Sequence, residues 1–372
     1  MRAKIQIAFF SCVMLSTCAV LAIAEDKVVS NWLAAAPETP EFQVPKSLEA
    51  WKKQRIEVRA KLWELLGKLP QRPEKVEVKT LSREDRGDYI LEKFDFDNLA
   101  GDRVPGFLLL PKGADGKPKQ KCPAVLYCHW HGGQYESGKA ELFQTNATPE
   151  APGPSLAKAG FVVLGVDACC FGERNGRGVG GPEQKGGAGE LTAVKFNLWF
   201  GRTLWGMILR DDLMALDVLC ARPEVDTSRV GVTGASMGAT RTWWLMALDE
   251  RLKAGVAVVC LTRYRELITS QSLGAHGIYY FVPGMLSNFD TEAVVALAAP
   301  RPLLAMSGET DNGSPVDGIH KIESVVERVY ALYGKDAKSH FRSVIYPEQG
   351  HVYTPEMWDQ TVKWLTDNLR KP

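Results

Sequence analysis

The stretch Arg229 to Thr240, RVGVTGASMGAT, restricts the fold more than any other part of the chain. It reads as a short apolar strand, Val230 to Thr233, then a Gly-x-Ser-x-Gly turn made of Gly234, Ala235, Ser236, Met237 and Gly238. A helix carrying Trp243, Trp244, Leu245 and Met246 follows. A strand that turns into a helix over one serine needs a strained backbone at that serine. It also needs small residues two before and two after, so that strand and helix approach closely. A serine presented this way is a candidate nucleophile. The blander alternative is a tight strand-to-helix turn with an exposed serine. The motif arises readily by chance, and its weight comes from the β-branched run before it and the apolar run after it.

The flanking pattern agrees with a strand–helix alternation, which implies a mostly parallel, doubly wound sheet. Buried strands are expected at Pro123–His129, Phe161–Val166, Val230–Thr233, Ala254–Cys260, Pro302–Met306 and Ser343–Tyr346. Helices are expected at Pro154–Ala159, His320–Tyr333 and Met357–Leu369, with one long helical region over Leu191–Ala221. Before this alternation, Val76–Thr80, Tyr89–Phe96 and Val104–Leu110 read as antiparallel strands. A helix capped by Ser47 carries the stripe Leu48, Trp51, Ile56, Leu62, Leu65, Leu66 and stops at Gly67 and Pro70. The domain reading is a segment 1–24, an N-terminal arm and helix over 25–75, and one catalytic domain over 76–372. Two insertions, 172–190 and 261–296, are expected as a mobile glycine-rich loop and a lid.

The chain is 372 residues long, 45% hydrophobic, with a formal net charge of +1. That is ample for one large core and gives no basic face, so nucleic acid is not an expected partner. Residues 1–24 have a signal-peptide form: Arg2 and Lys4, an apolar run from Ile5 to Ile23, and Ala22-Ile23-Ala24 before Glu25 and Asp26. The expectation is a secreted or periplasmic protein without stable membrane insertion after signal removal. An uncleaved anchor and a lipoprotein attached at Cys18 are the alternatives. The six cysteines beyond that segment follow no disulfide framework or zinc spacing and are expected to be mostly free and buried.

A serine hydroxyl becomes a nucleophile when a base takes its proton and a third group orients that base. Of the six histidines, His351 lies in a loop, Tyr346–His351 (YPEQGH), after the last strand and before the last helix. The acid should leave a strand between the serine and this histidine. Asp311, in the loop after Pro302–Met306, is the choice, with Glu309 and Asp317 as rivals. The oxyanion of a tetrahedral intermediate needs backbone donors. Met237 N–H is one. His131 N–H, in His129-Trp130-His131-Gly132-Gly133, is the second, with Trp130 N–H as its alternative. Trp130 and Phe171 are candidate substrate contacts. His129-x-His131 lacks the further ligands of a metal site, and Gly176-x-Gly178-x-x-Gly181 opens no helix after a strand, so neither a metal nor a cofactor is expected. Trp199, Trp205, Trp243 and Trp244 are expected in the core rather than as a sugar platform.

From about Trp51 onward the chain resembles the α/β-hydrolases of the dienelactone hydrolase and acetyl xylan esterase group in their secreted bacterial form. The resemblance rests on HWHGG at 129–133, DACCFGER at 167–174, Gly201–Asp217, Pro223–Asp226, GASMG, Ala299–Pro302 with Gly308–Asp311, and YPEQGH. It implies the α/β-hydrolase fold, a triad of Ser236, Asp311 and His351, and a bracing role for Glu173 and Arg174. It further implies a serine carboxylesterase that deacetylates a small-molecule or polysaccharide ester. A prolyl-oligopeptidase-like peptidase and an inactive binding protein on the same scaffold are the competing readings. The oligomeric state, acyl group and alcohol portion stay open.

Overall fold

The computed structural model describes residues 28–370. The segment 1–24 read as a signal peptide, with Cys12 and Cys18, lies outside the described residues. A single nine-stranded sheet runs β1-β2-β3-β5-β4-β6-β7-β8-β9. The first three strands, β1 (Val78–Asp85), β2 (Tyr89–Asp97) and β3 (Arg103–Pro111), are antiparallel, and β3 meets β5 (Val162–Val166) antiparallel as well. The rest is parallel: β5, β4 (Cys122–Cys128), β6 (Val225–Ala235), β7 (Leu252–Val258), β8 (Leu303–Gly308) and β9 (Phe341–Tyr346). This is the α/β-hydrolase architecture, with antiparallel strands at its N-terminal edge as expected.

The parallel strands are buried on both faces, which explains their near-continuous apolar runs. Side chains alternate between two cores. Ala124, Leu126 and Cys128 of β4 join the larger core, with the helices Leu48–Leu66, Leu204–Cys220 and Met237–Leu248. Val125 and Tyr127 face the smaller one, beneath Pro152–Lys158 and Pro355–Leu369.

Four expectations about element bounds and loops need correction. Residues 28–35 are helical rather than an extended arm; Leu33, Ala34 and Ala35 are strong helix formers, and Pro37 follows. The strand before the serine begins at Val225, five residues earlier than read. The long helical region splits into Gly186–Trp199 and Leu204–Cys220. Between them Gly201 takes φ 68°, and Thr203 starts the second helix by accepting Gly206 N–H at 2.9 Å. The break serves another helix: Leu66 O, at the end of Leu48–Leu66, accepts the Thr203 N–H at 3.0 Å, and Gly201 O accepts Lys68 N–H at 3.0 Å. Orphan carbonyls at one helix end are satisfied by the interruption of a second. Finally, the glycine-rich insertion is tied down at its two ends, with 177–179 and 182–185 exposed between them. Arg174 is buried, Asn175 binds Glu136 and Gly186 N–H, and residues from Gly186 onward are already helix.

All six cysteines among the described residues are free; Cys122, Cys128, Cys170 and Cys260 are buried, and Cys169 and Cys220 are half-buried. Trp205, Trp243 and Trp244 are fully buried as expected; Trp199, also expected in the core, is instead 89% exposed, as the last residue of the helix Gly186–Trp199 before the chain turns away. Among the described residues no helix is long and apolar enough to cross a membrane.

Candidate active site

Ser236 stands between β6 and the helix Met237–Leu248 with φ 55° and ψ −115°, a conformation unfavourable for a residue with a side chain. Its surroundings hold it there. Ser236 N–H donates to Val258 O at 2.9 Å. A side-chain carbon at Gly234 or at Gly238 would collide with the carbonyl oxygen of Cys128, so both glycines are required by the closeness of β4. Met237, as the first residue of the helix, leaves its N–H without an intrahelical acceptor.

The three residues from three strand exits meet at the carboxyl edge of the sheet, where such loops converge. His351 Nε2 lies 2.8 Å from Ser236 Oγ, and His351 Nδ1 lies 2.7 Å from Asp311 Oδ2. The other oxygen of Asp311 accepts Gly313 N–H at 2.8 Å, and the carboxylate is almost entirely buried. With Nδ1–H donating to the carboxylate, Nε2 is left to accept the serine proton. The rivals are placed elsewhere. Glu309 accepts the Glu348 N–H at 2.9 Å. Asp317 lines a separate cavity of about 800 Å³ beside Arg263, Arg265 and His320. Charged groups in that wall are paired among themselves, Arg263 with Glu292 and Glu266, and Lys321 with Glu266.

The serine opens into a cavity of about 590 Å³ walled by His131, Gly132, Gly133, the lid residues Gly274–Gly277 and Tyr279, Thr310–Gly313 and His351. Of the segment 261–296, residues Gly274–Gly277 and Tyr279 contribute to this wall. Its His276 donates from Nε2 to Gly313 O at 2.7 Å, tying the lid to the loop of Asp311. Burial lowers the pKa of His276, with Gly313 O opposing the shift.

The loop after β4 is built from below. His129 is buried; its Nδ1–H donates to Trp130 O at 2.8 Å and its Nε2 accepts Ala168 N–H at 3.1 Å. Burial, with Arg241 nearby, pushes the His129 imidazole well below its ordinary value, so it is neutral. Glu141 accepts Trp130 N–H at 2.9 Å and the Tyr127 hydroxyl at 2.6 Å. That bond occupies the Trp130 N–H and removes it as an alternative oxyanion donor. Two substrate contacts expected from the sequence are not found in the cavity wall. Phe171 is fully buried, packed under the rings of His129, His131 and Tyr135 at 4.9 to 5.1 Å between centroids. Trp130 is half-buried, its indole against Gly132.

Beneath the loops lie buried ion pairs whose partners are far apart in the chain. Asp167 accepts both Lys139 N–H and Lys139 Nζ at 2.7 Å, in a cradle where a side chain at Gly138 or Gly172 would overlap its carboxylate. Arg174 joins Asp102 at 2.7 Å and Asp211 at 2.9 Å, and Glu173 joins Lys139 at 2.6 Å, which is the bracing geometry the resemblance implied. Arg241 pairs with Asp212 under the serine turn, both fully buried. Charged residues inside otherwise apolar helices, such as Asp211, Asp212 and Arg241, were the available signal, because such groups enter a core only as pairs.

A model of the Abhydrolase family matches residues 18–338. The chain is 36% identical to the protein named "Putative hydrolase YtaP" of Bacillus subtilis (strain 168) over 313 residues, covering 84% of this chain and 98% of YtaP. Among solved structures it is similar to a "putative acetyl xylan esterase" of Bacteroides fragilis NCTC 9343. The TM-score is 0.65 at 20% identity, over 86% of this chain and 81% of that one. It is also similar to the glucuronoyl esterase of Solibacter usitatus, with a TM-score of 0.64 at 19% identity, over 89% and 99%. At such identities the structures speak for the fold, while the family match and YtaP span most of the chain: the protein belongs to the Abhydrolase family.

Proposed function

We propose that this protein is a serine ester hydrolase acting on acetylated carbohydrate, with Ser236 as nucleophile, His351 as general base and acid, and Asp311 as the group that orients His351. The relay Asp311–His351–Ser236, at 2.7 and 2.8 Å in an open cavity, is the observation that carries this reading. His351 Nε2 takes the Ser236 proton as Oγ attacks the ester carbonyl. The tetrahedral oxyanion is received by the N–H groups of Met237 and His131. His351 then protonates the departing alcohol oxygen, leaving an acyl-serine. Water, deprotonated by His351, attacks that acyl group and frees the acid and the serine.

The substrate class is supported by two things. Besides the triad, the cavity wall holds mainly glycine, histidine, tyrosine, threonine and asparagine, with Asp311 its one carboxylate and no lysine or arginine, a polar lining without a cation that suits an uncharged, hydroxyl-rich ester. The neighbours in fold bear the names of acetyl xylan and glucuronoyl esterases. Export through the segment 1–24 belongs to the same proposal, since it brings such an enzyme to polymers outside the cell.

Hydrolysis of p-nitrophenyl acetate by wild type and Ser236→Ala tests the mechanism. The variant should lose about 10⁶-fold in kcat if the triad acts as a unit; near wild-type turnover would sink the reading. Labelling by a fluorophosphonate, abolished by the same substitution, separates an active hydrolase from an inactive scaffold. Acetylated xylan, cephalosporin C and a glucuronoyl methyl ester assayed side by side test the substrate class, acetylated xylan being the expected winner.

A further inference from the structure

Beside the cavity stands a second histidine–carboxylate pair whose side chains have no task in the proposed reaction. Glu190 projects from the first turns of the helix Gly186–Trp199 and is almost entirely buried. One carboxylate oxygen accepts from His131 Nε2 at 3.1 Å, and the other accepts the Tyr135 hydroxyl at 3.2 Å. The opposite nitrogen of the same imidazole, Nδ1, accepts Gly133 N–H at 3.1 Å. A ring nitrogen that accepts carries no proton, so His131 is the neutral tautomer protonated on Nε2. Its ring is stacked on Tyr279 of the lid, with centroids 4.9 Å apart and planes at 21°, and meets Tyr135 and Phe171 edge-on.

One imidazole thus joins a buried carboxylate to the turn Gly132–Gly133, where both glycines have positive φ. A buried carboxylate is costly unless its oxygens are bonded, and both oxygens of Glu190 are spent on the scaffold of this loop. His131, Gly132, Gly133 and Tyr279 line the cavity, whereas Glu190 does not. Any influence of Glu190 on the reaction therefore travels through the groups it holds.

We infer that Glu190 is a positioning residue which, through the His131 imidazole, sets the geometry of the loop whose backbone N–H receives the oxyanion. The inference rests on the ester-hydrolase reading above. It assigns a purpose to the glycine-rich insertion: the insertion delivers a carboxylate to the back of the oxyanion loop. Because the oxyanion exists only in the transition state, the loss on removing Glu190 falls on kcat and spares KM.

Glu190→Leu removes both acceptors at similar volume. Glu190→Gln keeps an oxygen for His131 Nε2–H and an amide that can donate to the Tyr135 hydroxyl. With p-nitrophenyl acetate, Glu190→Leu is expected to lose roughly 10- to 100-fold in kcat, the scale of a small misplacement of catalytic groups. KM should stay within about twofold, and Glu190→Gln within about threefold of wild type. His131→Phe keeps the ring stack, removes both nitrogens and should cost the same, and the double variant should cost no more than either single one. Wild-type kcat in Glu190→Leu, or additive losses in the double variant, overturns the inference. If Glu190→Leu does not fold, His131→Phe decides alone: a kcat fall at constant KM supports the inference, and an unchanged kcat overturns it. Turnover by wild type with an unaffected Glu190→Leu defeats this inference only. No turnover and no Ser236 labelling in the wild type defeats the reading beneath it.

Discussion

At the scale of single residues, the serine turn is decided by what lies across from it. Gly238 could be read from the motif, but the reason for it is the Cys128 carbonyl on the neighbouring strand. Gly238→Ala forces that oxygen or the helix to move and should destabilise the protein by about 1–3 kcal/mol, the usual cost of overpacking. Urea denaturation measures this, and kcat should fall with it because Ser236 is carried along. Glu141 shows a residue whose role the sequence hid entirely, since nothing in GKAELF distinguishes it from a surface glutamate. Burial pushes its carboxyl from the ordinary 4.5 up to about 7, against the bonds from Tyr127 and Trp130. The folded protein then keeps a proton that the unfolded chain gives up. Stability contributed by this group is present below about pH 4.5 and falls as pH rises toward 7, by an amount on the order of 3 kcal/mol. Glu141→Gln, which keeps an oxygen for Trp130 N–H and an amide that can donate to the Tyr127 hydroxyl oxygen, should flatten the stability profile across that window, as read from urea midpoints at pH 5 and pH 7.5. An unchanged slope would show that Glu141 ionises normally in the fold.

At the scale of elements, period and composition were sufficient for the parallel strands, whose apolar runs are long and bounded by turn residues. They failed where an element's end is set by a distant partner. Leu191–Ala221 has helical composition throughout, and the break at Gly201 is explained only by the helix end it caps at Leu66. The segment 172–190, dense in glycine, carries the sequence mark of a free loop. Its charged residues hold it down instead, with Arg174 tying it to Asp211 on the helix Leu204–Cys220 and to Asp102 beside β3. Arg174→Ala leaves Asp211 buried with only Asn98 and the more distant Arg210 to balance it. The expected loss is about 3–5 kcal/mol, the cost of breaking a buried ion pair from one side. A drop of that size in unfolding free energy by chemical denaturation checks it, and a loss under about 1 kcal/mol would place Arg174 among weak surface pairs.

At the scale of the whole molecule, the N-terminal helix is part of the core rather than an appendage. Trp51, Val58, Leu62 and Leu66 are buried in the cluster shared with Trp205, Trp243 and Trp244. Arg59 donates to Ala247 O at 3.0 Å and Arg55 to Leu297 O at 3.2 Å. Four buried side chains at about 1.5–3 kcal/mol each approach the whole stability of a typical domain. A chain begun at Val76 should therefore lose cooperative unfolding, measured by circular dichroism on heating; a cooperative melt would show that the sheet domain stands alone. The sequence by itself determined the strand–helix alternation, the serine turn and the chain order of Ser236, Asp311 and His351, because each is written in local period and turn chemistry. Only the tertiary structure decided that Asp311 rather than Glu309 or Asp317 faces His351, that Phe171 lies buried beneath His129 and His131, and that Glu190 bonds the His131 ring. Those outcomes depend on which side chains three-dimensional packing leaves within 3 Å of one another, and residues far apart in the chain carry no local signal of that distance.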